Sequence, residues 1–120
     1  MKKINLAITG CMGRMGQQLI KSANKDKTFK ITTLTESKRI NKRIFGVSPE
    51  INSIDAFKKA NVIIDFTVPK CTLEILKIAV KLKKKVVIGT TGFTKKEEKL
   101  IKGFSNKIPI LKAGNMSVGV

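Results

Sequence analysis

Apolar positions along the chain fall into two alternating rhythms. Short runs dense in apolar and β-branched residues, Ile4 to Thr9, Phe29 to Thr35, Val62 to Phe66, Lys85 to Ile88 and Ile108 to Lys112, predict five strands. Between them, apolar residues recur at three- and four-residue spacing, the period of a helix with one buried stripe. Met15, Leu19, Ile20 and Ala23 form such a stripe and predict a helix over 15–23. A short helix near 53–59 is expected ahead of the third strand. Pro69 can open the next helix, since a first-turn proline sacrifices no hydrogen bond, and Leu73, Leu76, Ile78, Ala79 and Leu82 supply its apolar face. Thr94 and Glu97 have capping-box spacing for a fourth helix, expected to turn Leu100, Ile101 and Phe104 inward and to stop before Pro109. Residues 40–50, broken by Gly46 and Pro49, read as loop.

Strands that alternate with helices and are apolar on both faces, as Val62-Ile63-Ile64 and Val86-Val87-Ile88 are, predict a parallel sheet covered on both sides. The expected fold class is α/β, a doubly wound parallel sheet forming one domain over 1–120. No repeat or low-complexity linker marks a boundary inside the chain. Residues Gly114 to Val120 read as the opening of a further strand-to-helix turn, so a boundary is expected at the end.

Charge changes this picture less than its size suggests. The 120 residues carry a formal charge of +17, which raises a basic nucleic-acid-binding module as the alternative function. The cations are almost all lysine and scattered, only three are arginine, and neither Trp nor Tyr is present to stack on bases. Lys83-Lys84-Lys85 reads as a solvated connection before a strand. Cys11 and Cys71 lack metal-site spacing and the chain has no histidine, so the expectation is two reduced thiols and no metal. The lack of histidine also removes the commonest proton-transfer group. With no apolar stretch of membrane-spanning length and no secretory signal pattern, a cytoplasmic protein is expected.

The chemistry concentrates in the turns that follow the strands. Gly10-Cys11-Met12-Gly13-Arg14-Met15-Gly16 directly follows the first strand, and glycines three apart permit a sharp turn, close approach to a pyrophosphate and tight helix packing. The helix start behind them offers free amides to an anion. Glu36 lies 20 residues beyond Gly16 at the end of the second strand, where a carboxylate can hold the adenosine ribose hydroxyls of a dinucleotide. A tight turn with a surface glutamate is the alternative. In Asp65-Phe66-Thr67-Val68-Pro69 the Thr67 hydroxyl and the Phe66 ring are expected to face the cofactor cleft, unless this is only a helix-opening turn. Gly89-Thr90-Thr91-Gly92 brings two hydroxyls beside the expected nicotinamide ribose. Ala113-Gly114-Asn115-Met116 offers an amide for a carboxamide, or a helix cap.

In their order and combination these segments, with Asn115-Met116-Ser117-Val118-Gly119-Val120, resemble the nucleotide-binding half of the dihydrodipicolinate reductases over the whole chain. The resemblance implies a Rossmann-type domain and, in the longer protein, hydride transfer from NADH or NADPH to a small cyclic dicarboxylate of lysine and diaminopimelate biosynthesis. It implies that Gly10 through Met15 wrap the pyrophosphate and Glu36 holds the adenosine ribose. Gly89, Thr90 and Thr91 line the nicotinamide side, and Ala113, Gly114, Asn115 and Met116 close over its end. Where the family usually has Arg after the ribose-binding acid, this chain has Ser37, with Lys38 and Arg39 just beyond. The carboxylate repels a 2′-phosphate and the two cations attract it, so both cofactors stay open with a slight lean to NADH. The family's catalytic histidine-rich segment, substrate site and tetramer interface belong to a later domain, so the expectation for these residues is cofactor binding without turnover.

Overall fold

A computed structural model of the chain describes residues 3–112. Six strands form one sheet: β1 (Ile4–Thr9), β2 (Phe29–Glu36), β3 (Glu50–Ile51), β4 (Val62–Asp65), β5 (Lys85–Ile88) and β6 (Ile110–Lys112). They lie in the order β3-β2-β1-β4-β5-β6 with every neighbouring pair parallel. The helices are α1 (Arg14–Lys25), α2 (Ile54–Phe57), α3 (Pro69–Leu82) and α4 (Lys95–Ser105).

The chain winds outward from β1 to β2 and β3, then returns through α2 to β4 on the other side of β1 and continues to β5 and β6. Alternation along β1 sends Ala7 and Ile8 to opposite faces. Ile8 joins Cys11, Ile20 and Leu34 in a core under α1. Ala7 joins a larger one with Phe57 from α2, Ile75, Leu76 and Ala79 from α3, and Ile101 from α4. Each fully buried Leu, Ile or Phe side chain stabilises the fold by about 1.5–3 kcal/mol. The described ion pairs, Lys58–Asp55, Lys59–Glu50 and Lys112–Glu98, are solvent-exposed and add at most about 1 kcal/mol each. The sheet and its two cores therefore set the stability.

Four expectations need correction. β3 is an additional strand, two residues long, that pairs Glu50 and Ile51 with Thr35 and Glu36; so short an element leaves no periodicity to read. Leu100 is 48 % exposed on α4 while Ile101 beside it is buried, because the buried stripe of this helix is narrow and consecutive residues point about 100° apart. The buried line of α3 is Thr72, Ile75, Leu76 and Ala79, with Leu73, Ile78 and Leu82 at its margins. Val62, Ile64 and Val87 are only half-buried, since on that face α1 packs on β1 and β2 and no other described helix reaches β4 or β5. The other helices form as read: Thr94 accepts from the Glu97 amide while the Glu97 carboxylate accepts from the Thr94 amide, and Ser53 caps α2.

Candidate functional site

Because every strand is parallel, all carboxyl ends reach one edge of the sheet. Thr9 lies in register with Thr35 on one side and Asp65 on the other, and Asp65 with Ile88. The winding direction reverses between β1 and β4, so a crevice opens there at the glycine turn.

Two glycines build that turn. Gly10 has φ +64°, and a Cβ on it would lie 2.3 Å from the Phe66 carbonyl oxygen; a Cβ on Gly16 would lie 2.2 Å from the Gly10 carbonyl oxygen. A side chain at either position would push apart β1 and the turn after β4, or β1 and α1. Gly13 then stands at the N-cap of α1, which has no side-chain cap, so the first-turn amides keep no side-chain oxygen on them. Cys11 is fully buried beneath the turn, and burial, then the nearby Glu36 charge, push its thiol up to about 11.

Glu36 reaches from the end of β2 to the glycine turn. One carboxylate oxygen accepts from the Met12 amide at 2.9 Å and the other from the Ser37 amide at 3.2 Å. The sheet thus ties the end of β2 directly to the glycine turn. Around this contact lies a cavity of about 270 Å³ lined by Gly10, Gly13, Glu36, Ser37, Phe66, Thr67, Val68 and Cys71. Its neighbour, about 340 Å³, runs from Gly13, Arg14, Met15 and Gly16 to Phe66–Pro69 and to Gly89, Thr90 and Thr91. A further cleft, about 650 Å³, is lined by Arg39, Lys42 and Arg43 with residues 48–51, Ser53 and Asp55, beyond the end of β2.

The predicted residues Gly10, Gly13, Arg14, Met15, Glu36, Gly89, Thr90 and Thr91 thus line two cavities that share Gly13, Phe66, Thr67 and Val68, with Met12 joined through its amide. Cys11 lies under them, and Ala113, Gly114, Asn115 and Met116 fall outside the described residues. Two hydroxyls do not face the cleft as expected. Thr67 lines both cavities, but its hydroxyl donates to the Asp65 carboxylate at 2.8 Å, and the buried Thr90 hydroxyl does the same at 2.9 Å. The buried acid that captures them is a site residue beyond those expected, and its signal in the sequence is an aspartate ending the apolar run Val62-Ile63-Ile64. The Phe66 ring lines both cavities and packs against Gly89.

A family model described as dihydrodipicolinate reductase, N-terminus, matches residues 4–116. The chain belongs to this family. The 4-hydroxy-tetrahydrodipicolinate reductase of Pelagibacter ubique is 70% identical over 120 residues, 100% of this chain and 46% of that protein. The reductase of the same name from Buchnera aphidicola subsp. Acyrthosiphon pisum is 42% identical over 99% of this chain and 48% of its own length. The chain therefore spans about half the length of the curated relatives it matches. Among solved structures, a dipicolinate-bound dihydrodipicolinate reductase from Paenisporosarcina sp. TG-14 matches with TM-score 0.79 at 23% identity, over 98% of this chain and 49% of that one. An S. aureus homoserine dehydrogenase matches with TM-score 0.76 at 17% identity, over 96% and 33%. At these identities the structural matches speak to the fold, a Rossmann-type α/β sheet.

Proposed function

We propose that this chain is the dinucleotide-binding part of a reductase that passes hydride from NADH or NADPH to a small cyclic dicarboxylate in lysine and diaminopimelate biosynthesis. The observation that carries the reading is the Glu36 carboxylate resting on the Met12 amide at 2.9 Å, at the edge of the cavity formed with the glycine turn. A carboxylate so placed can accept from paired ribose hydroxyls, while the uncapped first turn of α1 receives the pyrophosphate. The nicotinamide half then runs the other way across the sheet, toward Phe66 and the 89–91 turn. Bound there, the coenzyme supplies the hydride; these residues bind and orient it and shield one face of its ring.

In such a site the Cys11 thiol stays neutral and fills space, and no described group is a proton donor of the reaction. On this reading substrate capture and any tetramer interface fall to other residues of the longer protein, and Ala113, Gly114, Asn115 and Met116 serve the nicotinamide end. The cytoplasm is the compartment this reading implies, and no described helix is long and apolar enough to cross a membrane. Glu36 favours NADH, and the cations Arg39, Lys42 and Arg43 beyond β2 keep NADPH acceptable.

Titration of NADH by its own fluorescence tests the assignment. Glu36→Ala is expected to weaken binding about tenfold or more, the scale of one or two lost hydrogen bonds to a charged group. Equal affinity in parent and variant would remove Glu36 from the site.

A further inference from the structure

The Asp65 carboxylate is fully buried at the centre of the sheet edge, and among the described residues no Lys or Arg pairs with it. Its partners are four hydroxyls from four different segments. One oxygen accepts from Thr9 at the end of β1 at 2.5 Å and from Thr67 after β4 at 2.8 Å. The other accepts from Thr90 after β5 at 2.9 Å and from Thr72 in the first turns of α3. Two oxygens offer about four acceptor positions, so the four donors saturate the carboxylate. Thr90 in turn accepts the Thr67 amide at 2.9 Å, and the Asp65 carbonyl accepts the Gly89 amide at 2.7 Å.

Hydrophobic packing alone would hold these segments without a buried charge. What an acceptor-only group at their meeting point adds is direction: each hydroxyl must turn inward, and each turn must present its backbone to the crevice. Thr67 and Thr90 are the two members that also line the cavity running to the 89–91 turn. Glu36 lies on the opposite side of the glycine turn, attached to β2.

We infer that Asp65 is a positioning residue for the nicotinamide half of the coenzyme: without touching the ligand, it fixes the turns after β4 and β5 against the glycine turn. This rests on the dinucleotide reading above. The adenosine half depends on Glu36 and the α1 amides, so the two halves of the ligand should respond differently when Asp65 is changed.

The test compares NADH with ADP, which lacks both the nicotinamide and its ribose, by calorimetric titration of the 120-residue chain, with circular dichroism melts as a check on folding. Asp65→Asn is expected to weaken NADH tenfold or more and ADP less than twofold. Should that variant not fold, Thr72→Val serves instead: Thr72 lines neither cavity yet donates to Asp65, so NADH alone should weaken several-fold and Thr72→Ser should restore it. Parallel weakening of both ligands, no weakening of either, or Thr72→Ser behaving like Thr72→Val overturns the proposal. Failure of the parent chain to bind either ligand defeats the dinucleotide reading and this inference with it. Binding of ADP alone by the parent defeats only the nicotinamide assignment.

Discussion

A thiol sealed beneath the glycine turn should be felt in the pH dependence of stability. Burial first, then the Glu36 charge, raise the Cys11 thiol from its ordinary 9.0 to about 11. Between those values the unfolded chain releases the proton while the folded chain keeps it, so the contribution is complete below pH 9 and is lost as pH rises toward 11. The expected size of the loss is about 2–3 kcal/mol. Every other group is common to the parent and to Cys11→Ala, so the measurable quantity is the melting-temperature difference between the two. That difference should shift against the parent from pH 8.5 to 11, and a constant difference refutes the assignment. At this scale the sequence was informative where one residue type suits one backbone task. Gly10 and Gly16 could be read because a Cβ at either place meets a carbonyl oxygen. For Thr67 and Thr90 the sequence shows that a hydroxyl is present, not which way it points; Asp65, reached only through the register of β1, β4 and β5, decides the direction.

Elements with strong local signals form where the sequence places them, and the departures have local causes. The Thr94–Glu97 box starts α4, and Pro69 starts α3. β3 is created by its pairing with the end of β2 and has no preference of its own to detect. β2 also hides an irregularity: its register on β1 skips between Leu6 and Ala7, leaving Thr32 as the extra residue, with its hydroxyl donating to the Leu6 carbonyl at 3.3 Å. A hydroxyl partner within the ladder is a tertiary event that no propensity shows. The end of α3 carries the testable strain. Its C-cap, Lys83, has φ 56° and is exposed, with its amide donating to the last carbonyls of the helix. A left-handed lysine costs about 1–2 kcal/mol that glycine does not incur, partly offset by the greater freedom of glycine in the unfolded chain. Lys83→Gly should therefore stabilise the chain by about 0.5–1 kcal/mol in urea unfolding, with NADH affinity unchanged because the residue lies at the amino edge of the sheet, before β5. A destabilised variant would show that the lysine side chain holds the turn.

For the molecule as a whole, the question is whether a formal charge of +17 or a crevice at the sheet's carboxyl edge governs what binds. The topology places the glycine turn, Glu36 and the 89–91 turn along one edge, and this arrangement was legible because parallel strands force their following turns to the same side. The half-buried face of β4 and β5 was less so, since near-continuous apolar runs promise cover without naming what supplies it. Charge acts differently from either. With eight acidic residues against 25 basic ones, and three exposed ion pairs among the described residues, most lysines remain free to attract any anion diffusely. Diffuse attraction is screened by salt, whereas amides aimed at a pyrophosphate and a carboxylate aimed at a ribose keep much of their strength. Between 50 and 500 mM NaCl, NADH affinity should fall by less than about tenfold, while any duplex DNA binding should collapse by about a thousandfold or more through counterion uptake. The Glu36→Ala variant separates the two modes in one experiment: losing a negative charge should leave DNA affinity the same or slightly higher while NADH affinity drops. DNA binding that survives 500 mM NaCl, together with NADH binding that does not, would mean that the basic surface rather than the crevice is the functional face of this chain.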